Sequence, residues 1–328
     1  MKNILVLGGA GYIGSHTVLM LESRGYKAIV LDNLSSGHKQ SLKNTNATIY
    51  IDEISKENLE KIAEKHKIDG IIYFAGSIAV GESMSNPSLY LHNNLFNGVT
   101  ILDFMKDKNI NKMVFSSSAA VYGIPLKVPI FEDDRKSPIN VYGFSKAAYE
   151  DILKFYDQIF GIKSVSLRYF NAAGASLKNN IGENHKEETH LIPLILKTAL
   201  GQRESIKIYG DTYKTLDGTC IRDYIHVDDL AQAHILALEY LQNHGDSDYF
   251  NIGNGSGHSV KEIIDLSKKI TNIDFKVEIE GKREGDPDIL IASSSKIQKK
   301  LHWNPQFSIE DIIKSAWTWH KNNPNGFV

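Results

Sequence analysis

The segment "NVYGFSK" at 140–146 sets a phenol and an amine four positions apart, at Tyr142 and Lys146. On a helix that spacing puts both side chains on one face. A free tyrosine titrates at about pH 10, too high for a base at neutral pH, and a nearby cation lowers it by roughly 1 to 3 units. With Lys146 as that cation, Tyr142 is a candidate to exchange a proton with a substrate hydroxyl. Upstream, "FSSSAAVYG" at 115–123 reads as a strand ending in a loop, and its Ser118 is the candidate to hydrogen-bond the same substrate oxygen. Tyr-x-x-x-Lys is common by chance, so the reading depends on what surrounds it.

The strongest surrounding signal is "GGAGYIG" at 8–14, which follows an apolar run and opens a helix-length segment. Gly8, Gly11 and Gly14 suit a tight turn, close approach to a pyrophosphate and close helix–sheet packing, with a helix N-terminus facing the negative charge. Asp32 ends the next apolar run and can accept hydrogen bonds from ribose hydroxyls while repelling an additional phosphate. Between Asp32 and Tyr50 there is no arginine to bind that phosphate, although Lys39 and Lys43 are present. The expected cofactor is therefore NAD. Beside it, with the oxidised nicotinamide ring as a second cation besides Lys146, Tyr142 is expected to take the proton of a substrate hydroxyl as the carbon is oxidised, with Ser118 on the same oxygen.

These groups need a scaffold that brings strand ends and helix starts together. Apolar runs at 3–7, 28–31, 48–51, 70–74, 112–116 and 163–167 alternate with helical patterns at 12–24, 56–65, 87–106 and 142–160, the signature of βαβ units and a doubly wound parallel α/β sheet. Ligands sit beyond the carboxyl ends of such strands, where Ser116, Ser117 and Ser118 fall. After Asn171 the alternation gives way to loops with helices expected near 190–200, 229–242, 260–270 and 309–320. The expected organisation is a Rossmann-like domain over 1–170, completed by parts of 224–254, and a smaller C-terminal substrate domain over 171–328. The segments 89–105 and 144–160 are apolar on more than one face, which predicts sheet on one side and a second copy of the chain on the other.

Composition narrows the class. The chain has 328 residues, 42% hydrophobic and 23% charged, with a formal charge of −2, which gives no sign of a nucleic-acid partner. The apolar run at 4–7 is too short for a signal peptide or a membrane span. A lone cysteine, Cys220, excludes an internal disulfide, fits a reducing cytoplasm and reads as a small packed residue. "HVDD" at 226–229 resembles metal ligands superficially, but Asp228 reads better as a helix N-cap after a strand containing His226. No metal is expected, since the redox chemistry needs none.

"GGAGYIGSH", "LDNLS", "FAGSIAVGES", "FSSSAAVYG", "YGFSK", "LRYFNAAGA", "DGTCIRDYIHV" and "REGD" follow one another as in the extended short-chain dehydrogenase/reductases. Over about residues 3 to 320 the chain resembles that family and, within it, the UDP-hexose 4-epimerases. The resemblance implies tightly held NAD, interconversion of UDP-galactose and UDP-glucose through a 4-keto sugar, and a mainly homodimeric state. It implies cofactor contacts from Gly8, Gly11, Tyr12, Ile13, Gly14, Asp32, Asn33, Leu34, Ser35, Ser36, Gly37, Glu53, Ile54, Phe74, Ala75, Gly76, Ser77, Ile78, Asn93, Ser116, Tyr142, Lys146, Tyr169 and Phe170. Substrate contacts are implied at Ser118, Tyr142, Asn171, His190, Leu191, Arg222, Tyr224, Arg283, Asp286 and Leu290, with Lys207, Ile208 and Tyr209 at the uracil end. Two arginines suit a diphosphate, whose oxygens match their fork of donors.

The chain departs from the family pattern at Ile78, where many members carry lysine, at Glu53 in place of aspartate, and at His190 in place of an amide. A nucleotide-sugar 4,6-dehydratase would need an added acid and base after the active-site hydroxyl, and Ala119-Ala120 stand there instead. Epimerases of UDP-uronic acids or N-acetylated UDP-hexoses remain as alternatives. A non-catalytic NAD-binding regulator is expected to have lost Tyr142 or Lys146.

Overall fold

The computed structural model describes residues 1–283 and 285–327; Glu284 of the "REGD" run lies outside them. Seven parallel strands form the central sheet. Its first six members in chain order are β1 (Asn3–Leu7), β2 (Lys27–Asp32), β3 (Thr48–Ile51), β4 (Gly70–Tyr73), β5 (Lys112–Ser118) and β6 (Lys163–Tyr169), and Asp248–Ile252 adds the seventh beside β6. Across the sheet the order is Asp248–Ile252, β6, β5, β4, β1, β2, β3, so the winding reverses between β1 and β4. The crevice beyond that reversal is where a doubly wound sheet takes its ligand.

The strands read as nearly continuous apolar runs because both faces are covered. Ile4, Val6, Val30, Ile72 and Val114 pack on one face with Val18, Leu21, Leu230 and Leu238 from the helices Tyr12–Ser23 and Val227–Gln242. Leu5, Leu7, Ile29, Ile71 and Phe115 pack on the other with Leu59, Ile101, Tyr149 and Leu153. A separate cluster of Ile192, Ile195, Leu196, Ile206, Ile208, Ile263 and Ile312 forms the core of the later part of the chain. There Ser205–Tyr209 pairs with Lys276–Glu280, and Ile221–His226 pairs with Asn171–Ala173, Gly257–Ser259 and Ile289–Leu290. Among the described residues no helix is long and apolar enough to cross a membrane.

Two local expectations are corrected. The helix expected over 87–106 is divided into Pro87–Tyr90, a π-helical turn at Leu91–Phe96 and Asn97–Asp107. Asn94 lies in that turn and reaches Ser77 and Ser145, which fixes the wider turn on polar partners. Asp228 is not the N-cap: the helix begins at Val227, and the ring of His226 accepts the N–H of Asp228 at 3.0 Å. The Asp228 carboxylate turns instead to His16 Nδ1, 2.6 Å away. An imidazole acceptor at the strand end does the capping that a carboxylate was expected to do.

Candidate functional site

The phosphate loop is built by contacts that tolerate no side chain. Gly8 has φ +82°, and a Cβ there would lie 2.6 Å from the Ala75 nitrogen. At Gly14 a Cβ would stand 2.2 Å from the Gly8 carbonyl oxygen, whereas at Gly11 its nearest neighbour is that oxygen at 3.4 Å. Gly14 therefore seats the helix on the loop, and Gly11 leaves open space at the helix start. No side chain caps that helix, and its first turn carries no acidic residue, so its end is suited to an anion. Asp32 receives the N–H of Ala10 at 2.9 Å on one oxygen and that of Leu34 at 2.8 Å on the other. Burial raises its pKa and these two bonds oppose the rise. The carboxylate thus braces the loop from the end of β2.

Other expected cofactor residues surround the same crevice with distinct tasks. Asn33 donates to both oxygens of Glu53 at 3.1 Å, and its own oxygen accepts from the Ser35 N–H. Leu34 adopts φ +56° beside them, followed by Ser36 and Gly37, where a Cβ would lie 2.9 Å from the Ala10 carbonyl carbon. Ile13 and Ile54 pack into the two core clusters. Phe74 stacks obliquely on His234, with centroids 4.6 Å apart, and Ala75 and Gly76 follow it. Asn93 donates to Ser77 Oγ at 3.0 Å. Ile78 is exposed. The Tyr12 hydroxyl turns away to the Gly174 carbonyl at 2.7 Å, which leaves only its main chain for a phosphate. This set of glycines, helix end and braced carboxylate fits a dinucleotide.

At the end of β5, the acid–base group forms as its spacing predicts. Tyr142, Lys146 and Glu150 lie one turn apart on the helix Val141–Phe160, which Asn140 caps by accepting the Gly143 N–H at 2.7 Å. Lys146 is buried, donates to the Ser116 carbonyl at 2.8 Å and lies 5.9 Å from the centre of the Tyr142 ring. Ser116 Oγ meets Tyr169 OH at 2.8 Å. Ser118 Oγ caps the short turn after it by accepting the Ala120 N–H.

Burial raises the Tyr142 phenol above its ordinary value, with Ser118 opposing the rise. Burial also draws the Lys146 ammonium down to about 8, with the Glu150 carboxylate pulling the other way. Among the chain's own groups, desolvation outweighs the one opposing hydrogen bond, with Ser118.

A cavity of about 210 Å³ collects ten of the expected substrate residues: Asn171, His190, Leu191, Lys207, Ile208, Tyr209, Arg222, Tyr224, Arg283 and Asp286. Arg222 pairs with Asp286, whose other oxygen accepts from Tyr213 at 3.1 Å. The Arg283 guanidinium stacks 3.8 Å from the centre of the Tyr209 ring, and Asn171 Nδ2 donates to the Asp223 carbonyl at 2.9 Å. The Lys207 ammonium is engaged by Glu280 at 2.9 Å. Cys220 is buried, as expected, and also lines this cavity. Ser118, Tyr142 and Leu290 do not line it. Leu290 instead stands opposite Arg222 in the sheet and packs with Phe170 on the cluster of Val121, Tyr122, Ile130 and Ala147.

Sequence reasoning missed three contributors. Asn94 clamps the Ser77 segment and ties it to the Tyr142 helix through Ser145; its signal was an amide inside an otherwise apolar helical stretch. Glu150, one more step along the four-residue ladder from Lys146, was legible in the same way. Asp223 accepts three main-chain N–H groups, from Asn254, Gly255 and Ala292, behind Arg222 and Asn171, and burial raises its pKa to about 6. Nothing local in the sequence marks it.

Comparison with known proteins agrees with this geometry. Residues 4–253 match the NAD dependent epimerase/dehydratase family. The chain is 49% identical over 326 residues to the UDP-glucose 4-epimerase of Halalkalibacterium halodurans, covering 99% of this chain and 97% of that relative. A UDP-glucose 4-epimerase from Bifidobacterium longum, solved in complex with NAD+ and UDP, superposes with a TM-score of 0.94 at 36% identity over 99% of this chain and 100% of that one. The UDP-Glc/GlcNAc 4-epimerase of Campylobacter jejuni superposes with a TM-score of 0.86 at 40% identity, over 98% and 100%.

Proposed function

The chain belongs to the NAD dependent epimerase/dehydratase family, and from that premise we propose that it interconverts UDP-galactose and UDP-glucose. The C4 hydrogen of a hexose is not acidic, so inversion there by proton transfer alone is closed, and passage through a 4-keto sugar removes the stereocentre. Bound NAD supplies the reversible two-electron oxidation. Tyr142 takes the proton of the C4 hydroxyl and returns it after the ketone has turned over in the pocket. Ser118 hydrogen-bonds the same oxygen, and Lys146 supplies positive charge beneath the phenol. Arg222, Arg283 and Asn171 hold the UDP, leaving the sugar free to rotate. Ala119-Ala120 offer no acid or base for loss of water across C5 and C6.

The observation that carries the reading is the link between the two regions. Ser118 is paired in register with Tyr169, and Asn171, two residues on, lines the arginine-bearing cavity. The test is product analysis of UDP-galactose incubated with the purified protein and no added cofactor, beside Tyr142→Phe. Conversion to UDP-glucose, falling on the order of 10²- to 10⁴-fold in the variant, is expected. No product, or near-normal turnover in Tyr142→Phe, overturns the assignment.

Residues 1–170, with parts of 224–254, serve the cofactor in this reading, and 171–328 the UDP-sugar. The exposed Phe144, Phe155, Ile159 and Phe160 of the helix Val141–Phe160, with Phe96 at the end of the π turn, support a homodimer formed through this face. A cytoplasmic location fits the single cysteine.

A further inference from the structure

Eight residues between the phosphate loop and the UDP cavity hold a second cluster of chemistry. Glu183, His185, Glu188 and His190 each bring one ligand atom to within 4.8 Å of all the others. Both carboxylates are nearly dry, with 4% of the Glu183 side chain and 3% of the Glu188 side chain exposed. Among the described residues neither has a lysine or arginine partner. Buried carboxylates are ordinarily paired with a cation or bound to one.

His190 supplies one positive charge between the two carboxylates, since burial lowers its pKa but Glu183 and Glu188 together raise it to about 10, and a metal ion would take the place of that proton. Glu183 Oε1 lies 3.2 Å from His185 Nε2 and 2.9 Å from His190 Nδ1. Glu188 Oε1 is held by the N–H groups of Thr189 and His190 at 2.9 and 2.8 Å, with His190 Nδ1 at 3.0 Å. That leaves Glu188 Oε2 buried and without a partner. An orphaned buried carboxylate oxygen in a fixed orientation is a free ligand position. Two ligands of a four-coordinate zinc-type ion, each about 2.0 to 2.2 Å from it, stand about 3 to 3.5 Å apart; three of the pairs here are 2.9 to 3.2 Å apart, and all four ligand atoms lie within 4.8 Å of one another.

We propose that Glu183, His185, Glu188 and His190 form a site for one divalent transition-metal ion of the zinc type. Two imidazole nitrogens and two carboxylate oxygens make a borderline donor set that suits such ions and neutralises the two buried charges. Access is through a second cavity, of about 600 Å³, which His185 and Glu188 line. The site shares no residue with Ser118, Tyr142 and Lys146, and the oxidation at C4 does not use it. Its role is structural: it fixes the 183–190 loop between Tyr12, whose ring meets His185 edge-on at 6.5 Å, and the cavity wall that His190 supplies.

The test uses the full-length protein with its bound dinucleotide, freed of metal with a chelator, exchanged into metal-free buffer and titrated with Zn²⁺ by calorimetry and with Co²⁺ by visible spectroscopy. One equivalent per chain and the intense visible bands of a low-coordinate Co²⁺ site are expected. His185→Gln and Glu188→Gln should each weaken binding at least about tenfold, with circular dichroism and bound dinucleotide unchanged. No stoichiometric binding, only the pale spectrum of hydrated six-coordinate Co²⁺, or variants that bind as the wild type does, overturn the proposal. The wild-type Co²⁺ spectrum decides the matter even where a variant fails to fold.

Discussion

Glu150 grips Arg168 with both carboxylate oxygens, accepting Nε at 2.9 Å on one and Nη2 at 2.7 Å on the other. The pair is buried directly behind the acid–base group, where Ser117 Oγ also donates to Glu150 at 2.7 Å. Arg168 continues the network to Tyr122, which donates to Asn251. This ion pair anchors β6 to the helix that carries Tyr142 and Lys146, the Ser117 bond ties the end of β5 to the same carboxylate, and the charge of Glu150 helps to keep Lys146 protonated.

Glu150→Gln therefore has a kinetic signature. Lys146 is a cation below its pKa of about 8 and loses its proton as pH rises through that value. Without the carboxylate, burial acts unopposed and the pKa falls further, so the alkaline limb of kcat against pH moves to lower pH. A limb that stays in place in the variant removes Glu150 from this role. Breaking the buried pair also costs about 3 to 5 kcal/mol of stability, so the profiles must be taken well below the variant's melting temperature.

Gly11→Ala and Gly14→Ala separate two tasks of one motif. At Gly14 the new Cβ overlaps the Gly8 carbonyl oxygen, and overpacking of this kind costs about 1 to 3 kcal/mol. That variant should lose both thermal stability and bound dinucleotide. Gly11→Ala meets nothing closer than 3.4 Å within the chain, so the fold keeps its stability while the methyl occupies the space a pyrophosphate needs. Melting curves and the dinucleotide content of denatured supernatants measure both. Equal behaviour of the two variants would contradict the division.

Much of this architecture was legible because it rests on local repetition. The strand cores alternate with amphipathic helices, the Gly8–Gly14 spacing covers one short strand-to-helix turn, and the Tyr142–Lys146 spacing belongs to a single helix. What stayed hidden depends on tertiary contact. The π turn at Asn94 exists because Ser77 and Ser145 come from two other segments to meet it. The capping of Val227–Gln242 by His226 frees Asp228 for His16, which is 212 positions away. The rise that burial gives the Tyr142 pKa in the chain alone was hidden for the same reason, because burial cannot be seen in a four-residue spacing.

His234 gives a pH dependence of stability. Burial lowers its pKa to about 4, against about 6.5 in an unfolded chain. The unfolded state therefore binds the proton first, and this contribution is complete above pH 6.5 and is lost as pH falls toward 4. The difference in melting temperature between wild type and His234→Gln should shift against the wild type across that interval. A difference independent of pH between 7.5 and 4 would show that the imidazole is not held neutral.

Leu290 is the residue through which the sugar pocket should choose its substrate. It stands opposite Arg222, which lines the cavity, and packs with Phe170 on the cluster of Val121, Tyr122, Ile130 and Ala147, so a branched side chain adjoins the proposed diphosphate site. An acetamido group at C2 pressed against that packed side chain meets overpacking of about 1 to 3 kcal/mol, roughly a 5- to 150-fold loss in kcat/KM. UDP-galactose and UDP-glucose should therefore be preferred over UDP-N-acetylgalactosamine. Leu290→Ala should raise kcat/KM for the N-acetylated sugar and change that for UDP-galactose much less, because truncation opens space that only the larger substituent fills. If the wild type uses both sugars equally, or the alanine variant gains nothing on the larger one, the selectivity lies with another wall of the pocket.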